Sequence, residues 1–235
     1  MSSIADNIGS VTRRIQKATE LAGRAPDSVR LLAVSKTRPP EDLRAAADAG
    51  QTAFGENYLQ EALDKIEALA DLEGLEWHFI GPIQSNKTRA IAESFAWVHS
   101  VDRLKIARRL SDQRPEHLPA LNICLQVNID GEPSKSGCSV AELPTLAEAI
   151  GKLDNLSLRG LMAIPDPARP EGPLRQSFHR LASALEDLRL AHPDAGPLDT
   201  LSMGMSGDLE LAIAEGATWV RVGSALFGPR PRKQE

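Results

Sequence analysis

Short apolar runs alternate with longer amphipathic stretches along almost the whole chain, and the runs are rich in leucine and β-branched residues. This alternation is typical of parallel strands and the helices that cover them. Eight runs predict strands, at residues 30–36, 52–55, 76–81, 96–100, 120–128, 156–163, 198–202 and 218–222. The stretches between them predict helices, at about 40–49, 57–71, 86–93, 103–113, 139–152, 174–191 and 207–215.

An amphipathic helix is also predicted before the first strand. Between residues 3 and 23, apolar side chains recur on one helical face, namely Ile4, Ile8, Val11, Ile15 and Ala18. Eight strand–helix units in 235 residues fit a (β/α)8 TIM barrel better than an open doubly wound sheet. We therefore expect an α/β protein with one barrel domain over residues 1–235, an N-terminal helix within 1–25 and a solvated tail at 229–235.

Composition and charge narrow the range of functions. The chain is 42% hydrophobic and 25% charged with a net charge of −5, and interspersed signs give no electrostatic basis for binding nucleic acid or an anionic membrane. No secretory leader or apolar run of about 18 residues is present, so we expect a cytoplasmic protein. No strongly apolar surface helix marks a dimer interface, so we expect a monomer. Cys124 and Cys138 form no CxxC pattern and have no histidine at metal spacing, which predicts reduced structural thiols and no metal site.

The first predicted strand ends on a lysine, in the sequence LLAVSKTRPP. Active sites of barrels lie at the carboxyl ends of the strands, and alternation places Lys36 on the same face as Val34, inside the barrel mouth. Removal from water favours the neutral amine, which attacks a carbonyl carbon to form a Schiff base. Taken alone, this stretch is better explained by a lysine that reaches solvent, so a reactive Lys36 is expected only if residues at the far end of the chain complete a site.

Two glycine-containing loops follow the seventh and eighth predicted strands, SMGMSGD and RVGSALFG. Barrels of this kind commonly bind phosphate in these loops, because backbone N–H groups converge there on an anion. The first loop contributes Gly204, Ser206 and Gly207, and the second contributes Gly223 and Ser224. Either loop alone would be explained by ordinary turns, whereas the two together indicate a phosphate site.

Arg221 lies one pleat before Gly223 in the otherwise apolar strand WVRVG, so it is expected to project into the barrel mouth. A buried arginine needs a partner, either an interior carboxylate or an acceptor on a ligand. A lysine that bonds a carbonyl, a phosphate site and an inward arginine together predict a pocket for pyridoxal 5′-phosphate (PLP). The aldehyde, phosphate and ring nitrogen of PLP would meet these groups in turn.

The chain resembles the YggS/PROSC-type pyridoxal phosphate homeostasis proteins over nearly its whole length. Seven motifs carry the resemblance in order: AVSKTRP, FGENYLQE, LEWHFIGPIQSNK, NIDGEPSKSG, RGLMAIP, LSMGMSGDLE and VRVGSALFG. The resemblance implies a single (β/α)8 barrel similar to the barrel domain of bacterial alanine racemases.

The resemblance also implies the roles of individual residues. Lys36 is expected to hold PLP as an internal aldimine, and Arg221 is expected to face the pyridine nitrogen. The phosphate is assigned to three residues, Ser206, Gly223 and Ser224. Two further pocket residues are expected, Asn57 and Met205. His78 is a weaker candidate, because a histidine in a strand is more often a satisfied core residue.

The residues of the predicted pocket argue against catalysis. Arginine only donates hydrogen bonds, so Arg221 is expected to leave the ring nitrogen unprotonated and PLP a poorer electron sink. Racemases of similar barrel type add a tyrosine from a second domain, whereas Tyr58 is the one tyrosine here and no second domain is expected after the barrel. Ile164 stands where the similar racemase segment carries a histidine. We therefore expect a PLP-binding protein of PLP homeostasis that is not an enzyme, with delivery of PLP to apo-enzymes left open.

Two other functions are consistent with the sequence. One is a PLP-dependent amino-acid racemase that uses Lys36 and an unrecognised base. The other is a class I aldolase, in which Lys36 would hold a substrate carbonyl and the two loops would bind a sugar phosphate. Lys135, in PSKSG after the fifth strand, is best explained as a solvated loop lysine, whereas the resemblance implies an influence on cofactor exchange. Our hypothesis is that Lys135 lies near the pocket mouth and helps to release or transfer PLP.

Overall fold

Eight parallel strands pair in sequence order and close into a barrel in the computed structural model, which describes residues 3–229. The strands are β1 (Arg30–Val34), β2 (Ala53–Glu56), β3 (Glu76–Phe79), β4 (Trp97–Val101), β5 (Leu121–Gln126), β6 (Leu156–Met162), β7 (Thr200–Ser202) and β8 (Trp219–Val222). The barrel closes between β1 and β8, where Leu32 pairs with Arg221. The predicted (β/α)8 fold and all eight predicted strands are confirmed.

Helices cover the outside of the barrel, and those between the first and the last helix connect successive strands. They are α1 (Ile4–Leu21), α2 (Pro40–Asp48), α3 (Leu59–Ala68), α4 (Thr88–Ser94), α5 (Leu104–Gln113), α6 (Leu143–Ile150), α7 (Glu171–Ala191), α8 (Leu209–Ala214) and α9 (Ser224–Phe227). Helix α3 begins two residues later than predicted, which leaves Asn57 and Tyr58 in the loop after β2. Helix α9 was not predicted, because four residues are too few to show a helical period.

The N-terminal helix belongs to the layer of helices around the barrel. Ser3 and Asp6 form a capping box at its first turn, which satisfies N–H groups that have no intrahelical acceptor. Its apolar face is buried through Ile8, Val11 and Ile15, and it packs against α8 and α9. The two loops that precede α8 and α9 are the predicted phosphate loops, so α1 supports them from outside.

Large aromatic side chains fill the lower interior of the barrel. Trp97 on β4 and Trp219 on β8 lie with their ring centroids 5.9 Å apart. Two histidines, His78 and His99, lie between them and are fully buried. The barrel is therefore closed by packed side chains at its lower end and open only at the carboxyl ends of the strands.

Both cysteines are free thiols buried in the structure, as predicted. Burial raises the pKa of Cys138 to about 12 and raises the pKa of Cys124 further, so both stay protonated at neutral pH. In residues 3–229, none of the helices is long and apolar enough to cross a membrane. The predicted tail at 229–235 lies outside the described residues except for Pro229.

Candidate functional site

A cavity of about 780 Å³ opens at the carboxyl ends of the strands. This volume is within the range of small-molecule sites. The seven residues predicted from the sequence lie at or just after the carboxyl ends of four strands, and the structure brings all of them to the cavity wall: Lys36, Asn57, Met205, Ser206, Arg221, Gly223 and Ser224. Their roles in binding stay predictions.

Lys36 sits at the corner of a tight turn that directly follows β1. The predicted strand reached residue 36, but β1 ends two residues earlier because the chain reverses, and the Arg38 N–H donates to the Ser35 carbonyl at 3.0 Å. Thr37 has a left-handed φ of 64°, a conformation that costs about 1–2 kcal/mol in a residue with a side chain. The Thr37 N–H donates to the Glu61 carboxylate at 2.5 Å, which holds the turn. The half-buried Lys36 is thereby directed to the cavity wall.

A second lysine, Lys65 of α3, supports this turn from behind. Its Nζ donates to the Ser35 carbonyl at 2.8 Å, to Glu56 at 2.7 Å and to Glu61 at 2.5 Å. The side chains of Lys65 and Glu56 are 3% and 0% exposed. Burial raises the pKa of Glu56, and the attraction of Lys65 opposes that rise. Lys65 is thus a structural lysine, whereas Lys36 is the one lysine among the described residues that lines this cavity.

Arg221 extends from β8 towards β7 and the end of β6 and is buried. Its Nη1 donates to the Ser202 hydroxyl at 2.7 Å and its Nη2 donates to the Ala163 carbonyl at 2.8 Å. Burial lowers the pKa of Arg221 to about 10, so the guanidinium remains protonated at neutral pH. Both acceptors are uncharged, and no carboxylate of the described residues forms an ion pair with this group. Arg221 therefore brings a positive charge to the cavity wall without a direct counter-ion.

The loop after β7 is held in a conformation that requires glycine at position 204. Gly204 has a φ of 93°, and a Cβ there would lie 2.6 Å from the Ala212 side chain of α8. The Asp208 carboxylate accepts from the Met205 N–H at 2.6 Å, which fixes the other end of the loop. The loop backbone is thus rigidly placed at the cavity, where Met205 and Ser206 are exposed to a ligand.

Arg14 of α1 braces the same loop from outside the barrel. Its guanidinium donates to the Ser206 carbonyl at 3.0 Å and forms an ion pair with Glu210 at 2.7 Å. The carbonyl of Ser206 is therefore turned to α1. Through this contact α1, which precedes the first strand, supports a loop that lines the cavity.

The loop after β8 brings backbone N–H groups to the cavity. Helix α9 begins at Ser224 with Gly223 as its N-cap residue, and the first N–H groups of a helix have no intrahelical acceptor. A Cβ on Gly223 would lie 3.1 Å from the Val34 carbonyl, so the close approach of β1 leaves little space for a side chain there. Together with the loop after β7, this arrangement is suited to an anion such as phosphate.

Asn57 carries a buried acceptor that the described residues leave unpaired. Its Oδ1 has no hydrogen-bond partner, and the residue lines the cavity. The loop after β2, which carries Asn57, packs directly against Gly81. A side chain at position 81 would prevent this, because its Cβ would lie 2.1 Å from the Asn57 carbonyl oxygen. Unpaired buried polar atoms are rare in proteins, so this oxygen is suited to a hydroxyl or N–H donor on a ligand.

Several charged residues of the cavity were missed by the sequence analysis. Three of them are arginines at its outer part, Arg38, Arg169 and Arg175. Arg38 was detectable, since it follows Lys36 by two residues. The other two come from the segment IPDPARPEGP and the start of α7, and only the fold brings that segment over the cavity. Arg169 is paired with Asp130 at 2.5 Å and Arg175 with Glu215 at 2.9 Å.

The cavity offers few groups for proton transfer besides Lys36. No histidine, cysteine or tyrosine lines it within the part of the chain that the structure describes. Tyr58 is 56% exposed and lies outside the lining. The three carboxylates at the wall are engaged: Asp208 accepts from the Met205 N–H, Glu210 is paired with Arg14, and Glu171 lies 3.6 Å from the Arg175 guanidinium.

Lys135 lines a second, smaller cavity of about 290 Å³. This cavity shares Asn57, Ile80 and Ile164 with the larger one, so the two adjoin. The Lys135 ammonium is paired with Glu132 at 2.8 Å. Its place is therefore beside the site rather than inside it.

His78, the weaker candidate, is fully buried and lines neither of these two cavities. Its imidazole bonds Glu76 and His99, each at 2.9 Å. His78 is therefore a core histidine with both ring nitrogens hydrogen-bonded, which is the more common role of a histidine in a strand.

The sequence matches known proteins over nearly its full length. The family model for the alanine racemase N-terminal domain matches residues 7–231. A pyridoxal phosphate homeostasis protein of Pseudomonas aeruginosa is 63% identical over 230 residues, with 98% of this chain and 97% of the relative covered. The chain belongs to the family of pyridoxal phosphate homeostasis proteins, within the alanine racemase N-terminal domain family. A pyridoxal phosphate homeostasis protein of Escherichia coli K12 is 51% identical over 232 residues, and the match covers 98% of this chain and 98% of the relative.

Solved structures agree with this assignment. The structure of PipY from Synechococcus elongatus with PLP bound has a TM-score of 0.84 and 38% identity, and it covers 96% of this chain and 100% of PipY. Alanine racemase of Corynebacterium glutamicum has a TM-score of 0.68 at 20% identity, covering 99% of this chain and 62% of the racemase. That second likeness shows the barrel fold alone.

Proposed function

We propose that this protein binds PLP in the larger cavity, holds it covalently on Lys36, and serves PLP homeostasis as a carrier rather than as a catalyst. The observation that carries the proposal is the convergence of Lys36, Arg221 and the two glycine-containing loops on one cavity. The names of the relatives and the PLP-bound structure of PipY support it.

The chemistry of the cavity fits PLP. PLP supplies an aldehyde, a ring hydroxyl, a ring nitrogen that accepts a hydrogen bond, and a phosphate. The Lys36 amine would condense with the aldehyde to a Schiff base with loss of water. The loops after β7 and β8 would bind the phosphate, with Ser206, Gly223 and Ser224 nearest to it. Arg221 would donate to the ring nitrogen, and Asn57 and Met205 would lie against the ring.

Two features favour a carrier over an enzyme. A guanidinium donor at the ring nitrogen withholds the proton that makes PLP a strong electron sink. In addition, racemisation needs a second acid–base group opposite Lys36. Tyr58 lies outside the cavity lining, and Ile164, 39% exposed, occupies the adjoining wall. We further propose a cytoplasmic monomer that can pass PLP to apo-enzymes.

Absorbance and peptide mapping test the covalent link. Purified protein incubated with PLP should absorb visible light, and borohydride reduction should fix the cofactor to one lysine. Trypsin does not cut after a modified lysine and cuts poorly before proline. Attachment to Lys36 should therefore join residues 31–36 and 37–44 into one peptide that carries the added mass.

Lys36→Ala and Lys36→Arg should lose the visible band and keep the circular dichroism of the wild type. The arginine variant keeps the charge but cannot form the imine. Lys152→Ala, at a lysine 71% exposed, is the matched control and should stay coloured. A wild type that takes up no PLP, or a Lys36→Arg protein that stays coloured, would overturn the proposal. Loss of optical rotation from L-alanine faster than with free PLP would favour the racemase instead.

A further inference from the structure

A continuous chain of hydrogen bonds runs down the barrel interior from Arg221. Arg221 Nη1 bonds the Ser202 hydroxyl at 2.7 Å, and this hydroxyl bonds His99 Nδ1, also at 2.7 Å. His99 Nε2 then bonds His78 Nδ1 at 2.9 Å, and His78 Nε2 bonds Glu76 at 2.9 Å. Four hydrogen bonds thus join a cation at the cavity to a carboxylate at the opposite end of the barrel.

The two ends of this chain fix its direction. An ionised carboxylate only accepts hydrogen bonds, so His78 must donate from Nε2. A neutral His78 then accepts at Nδ1, which requires His99 to donate from its own Nε2. A neutral His99 accepts at Nδ1, which requires the Ser202 hydroxyl to donate. The serine oxygen is then left as an acceptor for Arg221, which only donates.

The surroundings keep both histidines neutral and Glu76 ionised. Burial lowers the pKa of both histidines; at His78 it outweighs the hydrogen bond and the charge of Glu76, which raise that pKa, and at His99 the charge of Arg221 lowers the pKa further. Burial alone would raise the pKa of Glu76, but its hydrogen bond with His78 and the charge of Arg30 outweigh burial and lower it. Arg30 forms an ion pair with Glu76 at 3.0 Å at the floor of the barrel.

The aromatic side chains of the floor enclose the two histidines of the chain, whereas Glu76 at its outer end is 30% exposed. His78 stacks on Trp97 with ring centroids 5.4 Å apart and meets the edge of Trp219 at 4.8 Å. Hydrogen bonds in such a dry interior polarise one another, so a carboxylate at one end strengthens the donation at the other. The buried charge of Arg221, which lacks a direct counter-ion, is thereby coupled to Glu76.

We propose that Ser202, His99, His78 and Glu76 are positioning residues for Arg221. They form a relay, a chain of hydrogen bonds that all point in one direction. The relay holds the guanidinium against Ser202 of β7 and directs its remaining N–H groups into the cavity. The relay itself is a property of the protein without a ligand. Its effect on a bound cofactor rests on the proposed function.

The first test uses the cofactor-free wild type with 15N-labelled histidines. Long-range 1H–15N correlation spectra should show His78 and His99 protonated at Nε2 and unprotonated at Nδ1. This state should be present at about pH 7 to 8, above the pKa of an ordinary histidine. A proton on Nδ1 of either ring, or an imidazolium in that range, would overturn the relay. This measurement needs no variant, so it decides the matter even where a substitution impairs folding.

The second test compares variants of β7 loaded with PLP. Ser202→Ala removes the link between Arg221 and His99, so PLP affinity should fall about tenfold and the absorption spectrum of bound PLP should change. Ser202→Thr keeps the hydroxyl and should restore both. Thr200→Val removes another buried hydroxyl of the same strand, which bonds Asp199, and should leave both unchanged.

Failure of the relay and failure of the proposed function are distinguishable. A wild type that binds no PLP but shows the two Nε2–H histidines refutes the proposed function and leaves the relay standing. A Ser202→Ala protein with the affinity and spectrum of the wild type refutes the positioning role, whereas PLP binding stands.

Discussion

Replacement of Lys65 by methionine tests the support of the Lys36 turn. Methionine keeps the apolar length of the side chain and removes its charge. In the wild type, Lys65 and Glu56 are buried and bonded at 2.7 Å, whereas the Glu61 partner is 30% exposed and its attraction is screened. Loss of one member of a buried ion pair costs about 3–5 kcal/mol, because the other charge stays buried without compensation. We therefore expect Lys65→Met to lower the free energy of unfolding by about that amount.

The destabilisation should depend on pH with a definite sign. Without Lys65, burial raises the pKa of Glu56 against only the opposing hydrogen bond from Ser35, so the folded variant keeps a proton that the unfolded chain has lost. Stability contributed by such a group is full below the ordinary glutamate pKa and falls as the pH rises towards the folded-state pKa. The difference between Lys65→Met and the wild type should therefore grow from acidic to neutral pH.

Urea unfolding followed by tryptophan fluorescence and circular dichroism measures this effect. Lys152→Met is the matched control: its ion pair with Glu148 has the spacing of the Lys65–Glu61 pair but is exposed, so a loss of no more than about 0.5 kcal/mol is expected. The double variant Lys65→Met/Glu56→Gln should recover part of the loss, since no buried charge remains unpaired. A Lys65→Met protein within about 1 kcal/mol of the wild type at neutral pH, or a double variant less stable than the single one, would refute this reasoning.

Two further predictions concern the loops around the site. Gly204→Ala should lower the free energy of unfolding by roughly 2 kcal/mol or more, because the new Cβ would lie 2.6 Å from the Ala212 side chain on a left-handed backbone. Gly207→Ala, in the same loop, is the control: its Cβ would enter open space, so it should cost less than about 0.5 kcal/mol. The same urea assay measures both variants. Lys135→Ala should change the rate at which loaded protein activates a PLP-dependent apo-enzyme while the absorbance of bound PLP stays the same, and kinetics equal to those of Lys152→Ala would remove Lys135 from any role in transfer.

The sequence was sufficient for the fold because the barrel repeats one local pattern. Each buried strand is a short apolar run and each covering helix has its own periodicity, so β1 to β8 were detectable one at a time. The boundaries were less accurate where turns decide them. Ser35 and Lys36 continue the alternation of β1 in sequence, but the turn at Thr37 depends on a hydrogen bond that the Thr37 N–H donates to Glu61 of α3, which is remote along the chain.

The residue pattern alone indicates which chemistry the barrel mouth can hold, because a lysine, an arginine and two glycine-containing loops fall at the ends of strands that meet at one face. How these groups are held became visible only in the folded chain: Lys65 lies behind the turn, Arg14 lies outside the loop, and the hydrogen-bond chain from Glu76 lies beneath Arg221. Such supports join residues that are distant along the chain. Hydrogen bonds between different strands and helices leave no period or spacing in a sequence, since their geometry exists only after the barrel has closed.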